Sequence, residues 1–474
     1  MNEDTYRRER IRHWSEVVSR KLAWQGARSA YQRRLAVLYG LAIQPGQRVL
    51  ELGCGTGDLL AALRPAFGVG VDFNHAALRI ARRRHAGLRF VEADAGAPAL
   101  KGEFDFIVLS DLVNDLWDVQ RVLERVSELS GPRTRVLLNL FSHFWEIPLR
   151  AAARLRLAQS TLRQNWMTPG DVENLLRLAN FEVVRHSAEV LLPVDVPLIA
   201  PFFNKFLVRF WPFRLLALAN FYSARRTPRA DLREPGASVS VVVPARNEAG
   251  NVESIFARTP KMGKGTELVF VEGHSRDRTW EAILEARSRH PEVPCQADRQ
   301  TGVGKGDAVR LGFERSTGEV LMILDADLTV PPEDLPRFYE ALVSGKGDFI
   351  NGVRLVYPME DQAMRLANLA GNKFFSAGFS WLLGQPIRDT LCGTKVLWKR
   401  DYDRIAAGRA TFGDFDPFGD FDLLFGAAKL GLRIVDVPIR YRERTYGSTN
   451  IQRWRHGLLL LRMLGVAARR LKFV

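Results

Sequence analysis

The stretch Leu321-Met-Ile-Leu-Asp325-Ala-Asp327 sets four apolar residues ahead of two carboxylates separated by one alanine. A short apolar run reads as a strand buried on both faces of a parallel sheet. Ligands of open α/β sheets collect at the carboxyl ends of such strands, so this one delivers two acids into a crevice. Alternation along an extended chain puts Asp325 and Asp327 on one side, where like charges repel unless a cation lies with them. Two hard oxygen donors suit Mg2+ or Mn2+. The competing reading is an acidic turn or a helix N-cap, because Pro331-Pro332 follows closely.

Outward from this stretch, Ser238-Val-Ser-Val-Val-Val-Pro244-Ala-Arg246-Asn247-Glu248 is a second buried strand that ends in polar residues leading into a helix. Glu267-Leu-Val-Phe-Val-Glu272-Gly-His-Ser275-Arg-Asp277-Arg-Thr repeats the arrangement. Gly304-Lys305-Gly306-Asp307 opens another helix and lacks the spacing of a Walker loop. Downstream lie Asn351-Gly-Val-Arg354, Phe418-Gly-Asp420-Phe-Asp422 and Arg442-Glu-Arg444-Thr-Tyr-Gly447-Ser448.

Together these segments resemble the family-two glycosyltransferases of the GT-A fold, most closely the dolichyl- and polyprenyl-phosphate sugar synthases, over residues 238 to 455. The resemblance implies a nucleotide-sugar donor and a lipid-linked, polyprenyl-phosphate-type acceptor. It implies that Pro244, Arg246, Glu248 and Glu272 surround the base and ribose, Glu272 standing where the family more often has Asp. It sets Lys305 near the phosphates and makes Asp325, Ala326 and Asp327 the D-x-D motif on metal and diphosphate. Arg354 and Arg365 match positions facing the acceptor phosphate, and Arg444 matches a basic loop over the leaving diphosphate. That loop usually reads G-x-S-K, and here no lysine follows Ser448. A lipid phosphate is already ionised near neutral pH and needs no base. A glycan hydroxyl would need one, for which Asp420 or Asp422 is the candidate, although Asp420 reads equally well as a helix N-cap.

In the first half, Arg48-Val-Leu-Glu51-Leu-Gly53-Cys-Gly55-Thr-Gly57-Asp58 runs from a strand through three glycines into a helix. The next strand, Gly68-Val-Gly-Val-Asp72, ends in an acid roughly 20 residues after Glu51, a spacing that suits hydrogen bonds to a ribose. Dinucleotide sites use G-x-G-x-x-G, with helix amides on a pyrophosphate. Here the pattern is G-x-G-x-G after an acid, which disfavours an anion at the turn. These residues resemble the class I S-adenosylmethionine-dependent methyltransferases. The resemblance implies a cofactor loop of Gly53, Gly55 and Gly57 with Glu51 at its start, Asp72 on the ribose, and Asp94 on the adenine side. Ser110 and Asp111 end the strand bordering the methyl group. By position near strand ends, Asp111, Asn114, His143 and Trp145 are candidates for the acceptor pocket. Thr168-Pro-Gly-Asp171 reads as a capped helix start.

Net charge +15 and a pI of about 10.0 point to anionic partners: nucleic acid, a membrane surface, or phosphate-bearing substrates. No aromatic-interleaved nucleic-acid module is evident, so no nucleic acid is expected. The rival it would serve is a nucleic-acid methyltransferase with a noncatalytic second half. Cys54, Cys295 and Cys392 are too scattered for a disulfide framework or a zinc cluster and fit a reducing compartment. Neither a signal peptide nor a spanning run is legible, so the expected location is cytoplasmic, peripheral on the cytoplasmic membrane face. Residues 191 to 224 are apolar, aromatic and basic; packing within the first domain is favoured there over membrane contact. Arg455, Arg462 and Arg469 fall seven apart near the C-terminus, one basic stripe beside an apolar face, as in helices lying on an anionic membrane. The expected architecture is two doubly wound α/β domains: a methyltransferase over 1–227, a linker over 228–237, and a glycosyltransferase over 238–474.

Overall fold

The structure, a computed structural model, describes residues 3–21, 27–98, 100, 102–154, 162, 164–194, 196–228, 236–354, 366–390, 392–409, 419–439, 446 and 453–473. The chain divides into two compact units, Met1–Thr227 with Phe473–Val474, and Pro228–Lys472.

Seven strands form the sheet of the first unit: β1 (Arg48–Leu52), β2 (Phe67–Asp72), β3 (Arg89–Glu92), β4 (Phe106–Ser110), β5 (Arg135–Phe141), β6 (Phe181–Glu189) and β7 (Ala219–Arg226). Their order is β3-β2-β1-β4-β5-β7-β6. β1 to β5 are parallel, and β7 runs antiparallel between β5 and β6. The chain builds outward from β1 on one side through β2 and β3, then returns to its other side with β4. Crevices open where strand order reverses in this way, here beyond Leu52 and Ser110. The strands qualify by their apolar runs: Val49, Leu50, Leu52 and Ile107 to Leu109 are fully buried. One helix start is as legible as its sequence: Thr168 and Asp171 form a reciprocal capping box with Pro169 in the first turn.

Residues 191 to 224 divide between two behaviours. β7 packs, with Tyr222 and Ala224 in the core, whereas the apolar side chains of Leu198 to Leu216 stay largely at the surface. The expectation of packing therefore holds for the strand, for Ala217 and Leu218 ahead of it, and, within Leu198–Leu216, for Ala200, Val208 and Arg209.

The second unit repeats the plan with β8 (Val239–Ala245), β9 (Thr266–Glu272), β10 (Cys295–Arg299), β11 (Val320–Ile323), β12 (Phe349–Val353), β13 (Lys395–Trp398) and β14 (Ile434–Pro438). The order is β10-β9-β8-β11-β13-β12-β14, with β13 antiparallel to both its neighbours. The reversal falls between β8 and β11. One expectation is corrected here. β11 stops at Ile323, and Asp325 and Asp327 do not alternate along an extended chain but lie in a turn closed by Leu328 N–H to Asp325 O at 3.2 Å. The turn forms because Asp327 Oδ1 accepts from both N–H (3.1 Å) and Oγ1–H (2.8 Å) of Thr329, an aspartate turn that competes with strand pairing.

The helix Arg453–Ala467 docks on the core of this unit through Leu460, Met463 and Ala467. Gly378 in the helix Leu366–Leu383 admits it: a Cβ there would stand 3.0 Å from Leu464. Leu458, Leu461, Arg462 and Arg469 face outward. Among the described residues no helix is long and apolar enough to cross a membrane.

Candidate functional site

In the first unit a cavity of about 500 Å³ opens at the reversal point and is lined by Glu51, Gly53, Gly55, Asp72, Asp94 and Ser110. Its floor depends on backbone that only glycine adopts readily. Gly55, at φ 53°, has nothing within 4 Å of where a Cβ would stand, so a ligand can approach its backbone closely. Gly57 serves packing instead. At φ 74° it lies where a Cβ would be 2.8 Å from the Phe90 ring, which seats the following helix, and it does not line the cavity. Asp72 accepts N–H bonds from Gly55 and Asn74, both at 2.8 Å. Burial raises its carboxyl above the usual range, partly offset by these amides. Asp94 holds the Gly96 amide at 2.8 Å and lies 3.8 Å from Arg7.

Glu51 is the most informative residue of this cavity. It is 3% exposed, its Oε2 has no hydrogen-bond partner, and burial pushes its carboxyl well above the ordinary range. A buried acceptor without a partner is costly, and a ligand ammonium would satisfy it. With acids at Asp72 and Asp94 and open space over Gly55, the donor set fits S-adenosylmethionine, a cation carrying a ribose diol.

Of the acceptor-pocket candidates, Asp111 is found at the cavity, and the partners that hold it escaped the sequence reading. Asp111, in the left-handed region at φ 53°, lines the cavity, and its Oδ1 accepts from Tyr31 O–H at 2.8 Å and from the buried Asn139 amide. Tyr39 O–H donates to Asn139 Oδ1 at 2.7 Å. Burial first, then the neighbouring Asp111, raises the Tyr31 phenol well above its usual value, so it remains a donor. The helix Glu3–Lys21 also borders the cavity. Trp14 Nε1–H donates to Asp115 Oδ2 at 3.0 Å, Tyr6 O–H to Asp115 O at 3.3 Å, and Arg10 Nε–H to the same carbonyl at 3.1 Å. No local pattern links these residues across such chain distances. Of the acceptor candidates, Asn114 is fully buried and spent on Asn165 O and Phe141 N–H, both 2.8 Å, while Trp145 Nε1–H serves Leu216 O at 2.9 Å. His143 packs on Phe144 with ring centres 4.1 Å apart and the planes tilted by 36°, away from the cavity lining.

In the second unit the carboxyl ends of β8, β9 and β11 are followed by Asn247 (φ 58°), His274 (φ 57°) and Leu328 (φ 55°), three residues in the left-handed region. Such strain gathers at functional sites. Lys305 Nζ lies 2.5 Å from Asp325 Oδ1, in a pair that is about a quarter exposed. Burial raises the Asp325 carboxyl, but Lys305, Lys395 and Arg354 outweigh it and hold the carboxyl below its ordinary range. Gly393 lies against the pair so closely that a Cβ there would collide with the Asp325 carboxylate and the Lys305 ammonium. Glu248 and Glu272 are each 5% exposed. Glu248 accepts from Asn251 Nδ2 at 2.8 Å, and Glu272 accepts from the Ser275 amide. The loops bearing them are tied by Asp277 and Thr279: Thr279 Oγ1 accepts from Glu248 N–H at 3.0 Å, and Asp277 Oδ1 from Thr279 N–H at 3.1 Å. Pro244 is partly exposed, Arg246 exposed, and Ala326 buried.

Arg354 is 9% exposed and forms a bidentate pair with the fully buried Asp389, at 2.7 and 2.9 Å. Asp422 is paired with Arg409 at 2.7 Å. Asp420 opens the helix Asp420–Lys429 at its first position, with Gly419 at φ 75° as the cap, so the cap reading shifts by one residue. Gly419 packs on Gly306, next to Lys305: a Cβ on Gly419 would be 2.7 Å from Gly306 Cα. Arg365, Arg444 and the side chain of Asp420 lie outside the described residues. Tyr446 is described and covers Gly250, with its hydroxyl 3.5 Å from Asp277 Oδ2. No cluster of three or more His, Cys, Asp or Glu able to hold a metal occurs among the described residues. Asp325 is engaged by Lys305 and Asp327 by Thr329, and a divalent ion on these two carboxylates would need its remaining ligands from the donor and water.

Two doubly wound sheets, each with polar groups gathered at its reversal point, define a tandem of ligand-binding α/β domains. Residues 6–186 match the family described as Methyltransferase domain, and residues 240–404 match Glycosyl transferase family 2. The chain thus joins a methyltransferase-family domain to a family-two glycosyltransferase domain. Dolichol-phosphate mannosyltransferase of Pyrococcus furiosus is 38% identical over 120 residues, 25% of this chain and 33% of that protein. Undecaprenyl-phosphate 4-deoxy-4-formamido-L-arabinose transferase of Edwardsiella ictaluri is 36% identical over 227 residues, 47% of this chain and 64% of that one. The chain therefore spans between one third and two thirds of these relatives. A solved methyltransferase structure from Thermotoga maritima, described as a possible histamine N-methyltransferase, aligns with TM-score 0.35 and 19% identity over 45% of this chain and 99% of that one.

Proposed function

We propose that the protein is a bifunctional transferase. Residues 238–474 transfer a sugar, with inversion and with Mg2+ or Mn2+, from a nucleotide-sugar to a polyprenyl-phosphate-type acceptor. Residues 1–227 methylate a glycan, lipid or small molecule with S-adenosylmethionine, and residues 228–237 join the two domains.

The observation that carries the sugar-transfer reading is the pairing of Lys305 with Asp325, beside Asp327, at the mouth of β8, β9 and β11. A divalent ion on Asp325 and Asp327 would offset charge on a departing nucleoside diphosphate. Lys305 adds a preorganised positive charge at the same place. Glu248 and Glu272, held by the loop network around Asp277 and Thr279, are positioned for the base and ribose. Arg354, fixed by Asp389, contributes with Lys395 to the positive potential around Asp325. That potential suits an acceptor that is itself a phosphate, and the polyprenyl-phosphate transferases among the relatives support the same class. Arg365 and Arg444 are proposed to complete the acceptor and leaving-group contacts.

For methylation, the cofactor supplies an activated methyl group, and the chain supplies alignment. Glu51, Asp72, Asp94 and Ser110 hold the cofactor along the cavity, and Asp111, set by Tyr31 and Asn139, orients the accepting atom. Attachment at the cytoplasmic face of an anionic membrane is supported by the outward Leu458, Leu461, Arg462 and Arg469.

One observation favours a second reading of the acceptor. The Gly419–Gly306 contact puts the start of the Asp420 helix beside Lys305, where Asp420 would serve as base toward a glycan hydroxyl. Purified protein is therefore incubated with UDP- and GDP-sugars, Mn2+ or Mg2+, and a short polyprenyl phosphate. Product on the lipid phosphate that survives Asp420→Ala and disappears in Asp327→Ala supports the first reading. Dependence on Asp420 with a glycan acceptor, and no lipid product, replaces it with the second.

A further inference from the structure

The segment Leu198–Leu216 of the first unit is built inside out. Leu198 is 86% exposed, Trp211 72%, Leu216 60%, Phe202 54%, and Phe206 and Phe210 47% each. The rings are contiguous, Phe202 lying 5.9 Å from Phe203 and 6.4 Å from Phe206 between centres. An aromatic side chain carries roughly 150–250 Å², so these rings alone present several hundred square ångströms, the upper end of what monomers expose.

Polar groups, in contrast, fasten the segment from beneath. Arg209, 8% exposed, makes a bidentate pair with the 2% exposed Glu189. Asn204 Oδ1 accepts from Leu192 N–H at 2.8 Å, and its amide donates to Leu192 O at 2.7 Å. Arg34 donates to Asn204 O at 3.2 Å. A segment that had merely failed to find the core would not be fixed by buried polar contacts with its rings pointing outward. Charge identifies what the face meets: Arg209 and Arg225 are buried in pairs with Glu189 and Glu182, whereas Lys205 is partly exposed and Arg214 exposed within the aromatic stretch, which holds no acid.

We infer that Leu198–Leu216 is a monotopic membrane-insertion element, seating the methyltransferase unit in the interface of an anionic bilayer. Tryptophan and phenylalanine lie at the level of the headgroups and upper acyl chains, while Lys205 and Arg214 meet anionic headgroups. The inference deepens the proposed function and rests on it only for the reason a methylating site should lie at a membrane, namely a lipid-borne acceptor. Phe473, near the C-terminal end of the chain, stacks on Phe206 and Phe210 with ring centres 4.9 and 6.2 Å apart, so the insertion face consists of these rings together with Leu198, Phe202, Trp211 and Leu216.

The test uses the full chain with vesicles of phosphatidylcholine alone or mixed with phosphatidylglycerol. Wild type is expected to co-sediment preferentially with the anionic vesicles, and Phe202→Ser with Trp211→Ser is expected to weaken binding by about tenfold or more, with the S-adenosylmethionine-induced thermal shift retained. Leu458→Ser with Leu461→Ser reports the C-terminal helix separately. Should the aromatic double variant unfold, Trp211→Phe decides. That variant keeps vesicle binding and loses the largest share of tryptophan quenching by brominated acyl chains. Wild-type binding by the serine variant, unchanged quenching in Trp211→Phe, or concentration-dependent self-association without vesicle binding would overturn the inference, the last assigning the face to a second copy. Donor-nucleotide hydrolysis is read in a separate assay, so failure here and failure of the sugar-transfer reading are distinguishable.

Discussion

Glu51 is where a single residue carries most of a binding argument. Its charged form is disfavoured by burial and restored by a cationic ligand, so Glu51→Gln removes a charge-assisted contact of about 1.5–3 kcal/mol. Titration calorimetry should show S-adenosylmethionine affinity falling on the order of ten- to a hundredfold. The same residue makes a pH prediction. Its folded-state carboxyl lies above the ordinary range, so between the two values the native protein holds a proton that the unfolded chain releases. Ligand-free stability therefore declines as pH rises from the ordinary carboxylate range toward the raised folded-state value, and Glu51→Gln flattens that decline. A thermal-melt series in which the two proteins run parallel would contradict the assignment. In the other unit Gly393→Ala drives a methyl group into the Lys305–Asp325 pair. Donor-nucleotide affinity should drop by at least about tenfold, since a displaced Lys305 no longer presents its preorganised charge to the diphosphate. Unaltered binding would show that the pair is not part of the donor site.

At the scale of elements, the helix Glu3–Lys21 closes one side of the methyltransferase cavity through Tyr6, Arg10 and Trp14 around Asp115. Asp115→Ala removes the acceptor of the Trp14 indole. Hydrogen exchange within this helix should rise, and the cofactor's dissociation rate should increase by about tenfold; exchange at the wild-type rate would mean that the helix is held otherwise. Thr168→Ala offers a control on stability alone, with an expected loss of about 1 kcal/mol from the capped helix, read as a lower melting midpoint with cofactor affinity unchanged. Elements also mark the limit of local patterns. The Thr168 cap and the strands of both sheets could be read because their signals lie within a few residues. The turn at Asp325 stood only as the competing reading, because an extended chain and a turn capped by Thr329 share the same apolar lead-in. The outward face of Leu198–Leu216 was likewise the less favoured reading, since hydrophobicity reports a preference for leaving water and not the medium that receives it.

For the molecule as a whole, two sheets with separate reversal points imply two sites that fail independently. Asp327→Ala should reduce sugar transfer by at least about a hundredfold, as expected when a metal-coordinating charge is lost, and leave cofactor affinity unchanged. Chelation by EDTA should reproduce this selectivity, abolishing sugar transfer and sparing the thermal shift given by S-adenosylmethionine. Coupled loss of both activities would overturn the assignment of one site to each domain.

Local sequence determined the residue types that chemistry requires: the glycine loop after Glu51, the acid ending β2, the lysine opening a helix, and the Asp325-Ala326-Asp327 trio. These are legible because each depends on its neighbours in the chain, through turn geometry, strand burial and helix initiation. Only tertiary structure decided which of them meet. It set Tyr31 on Asp111, left Glu51 Oε2 without a partner, brought Gly393 against Lys305 and Asp325, and tied Arg354 to Asp389. Those outcomes follow from packing between segments far apart in sequence, where distance in space, and not periodicity, sets the energy.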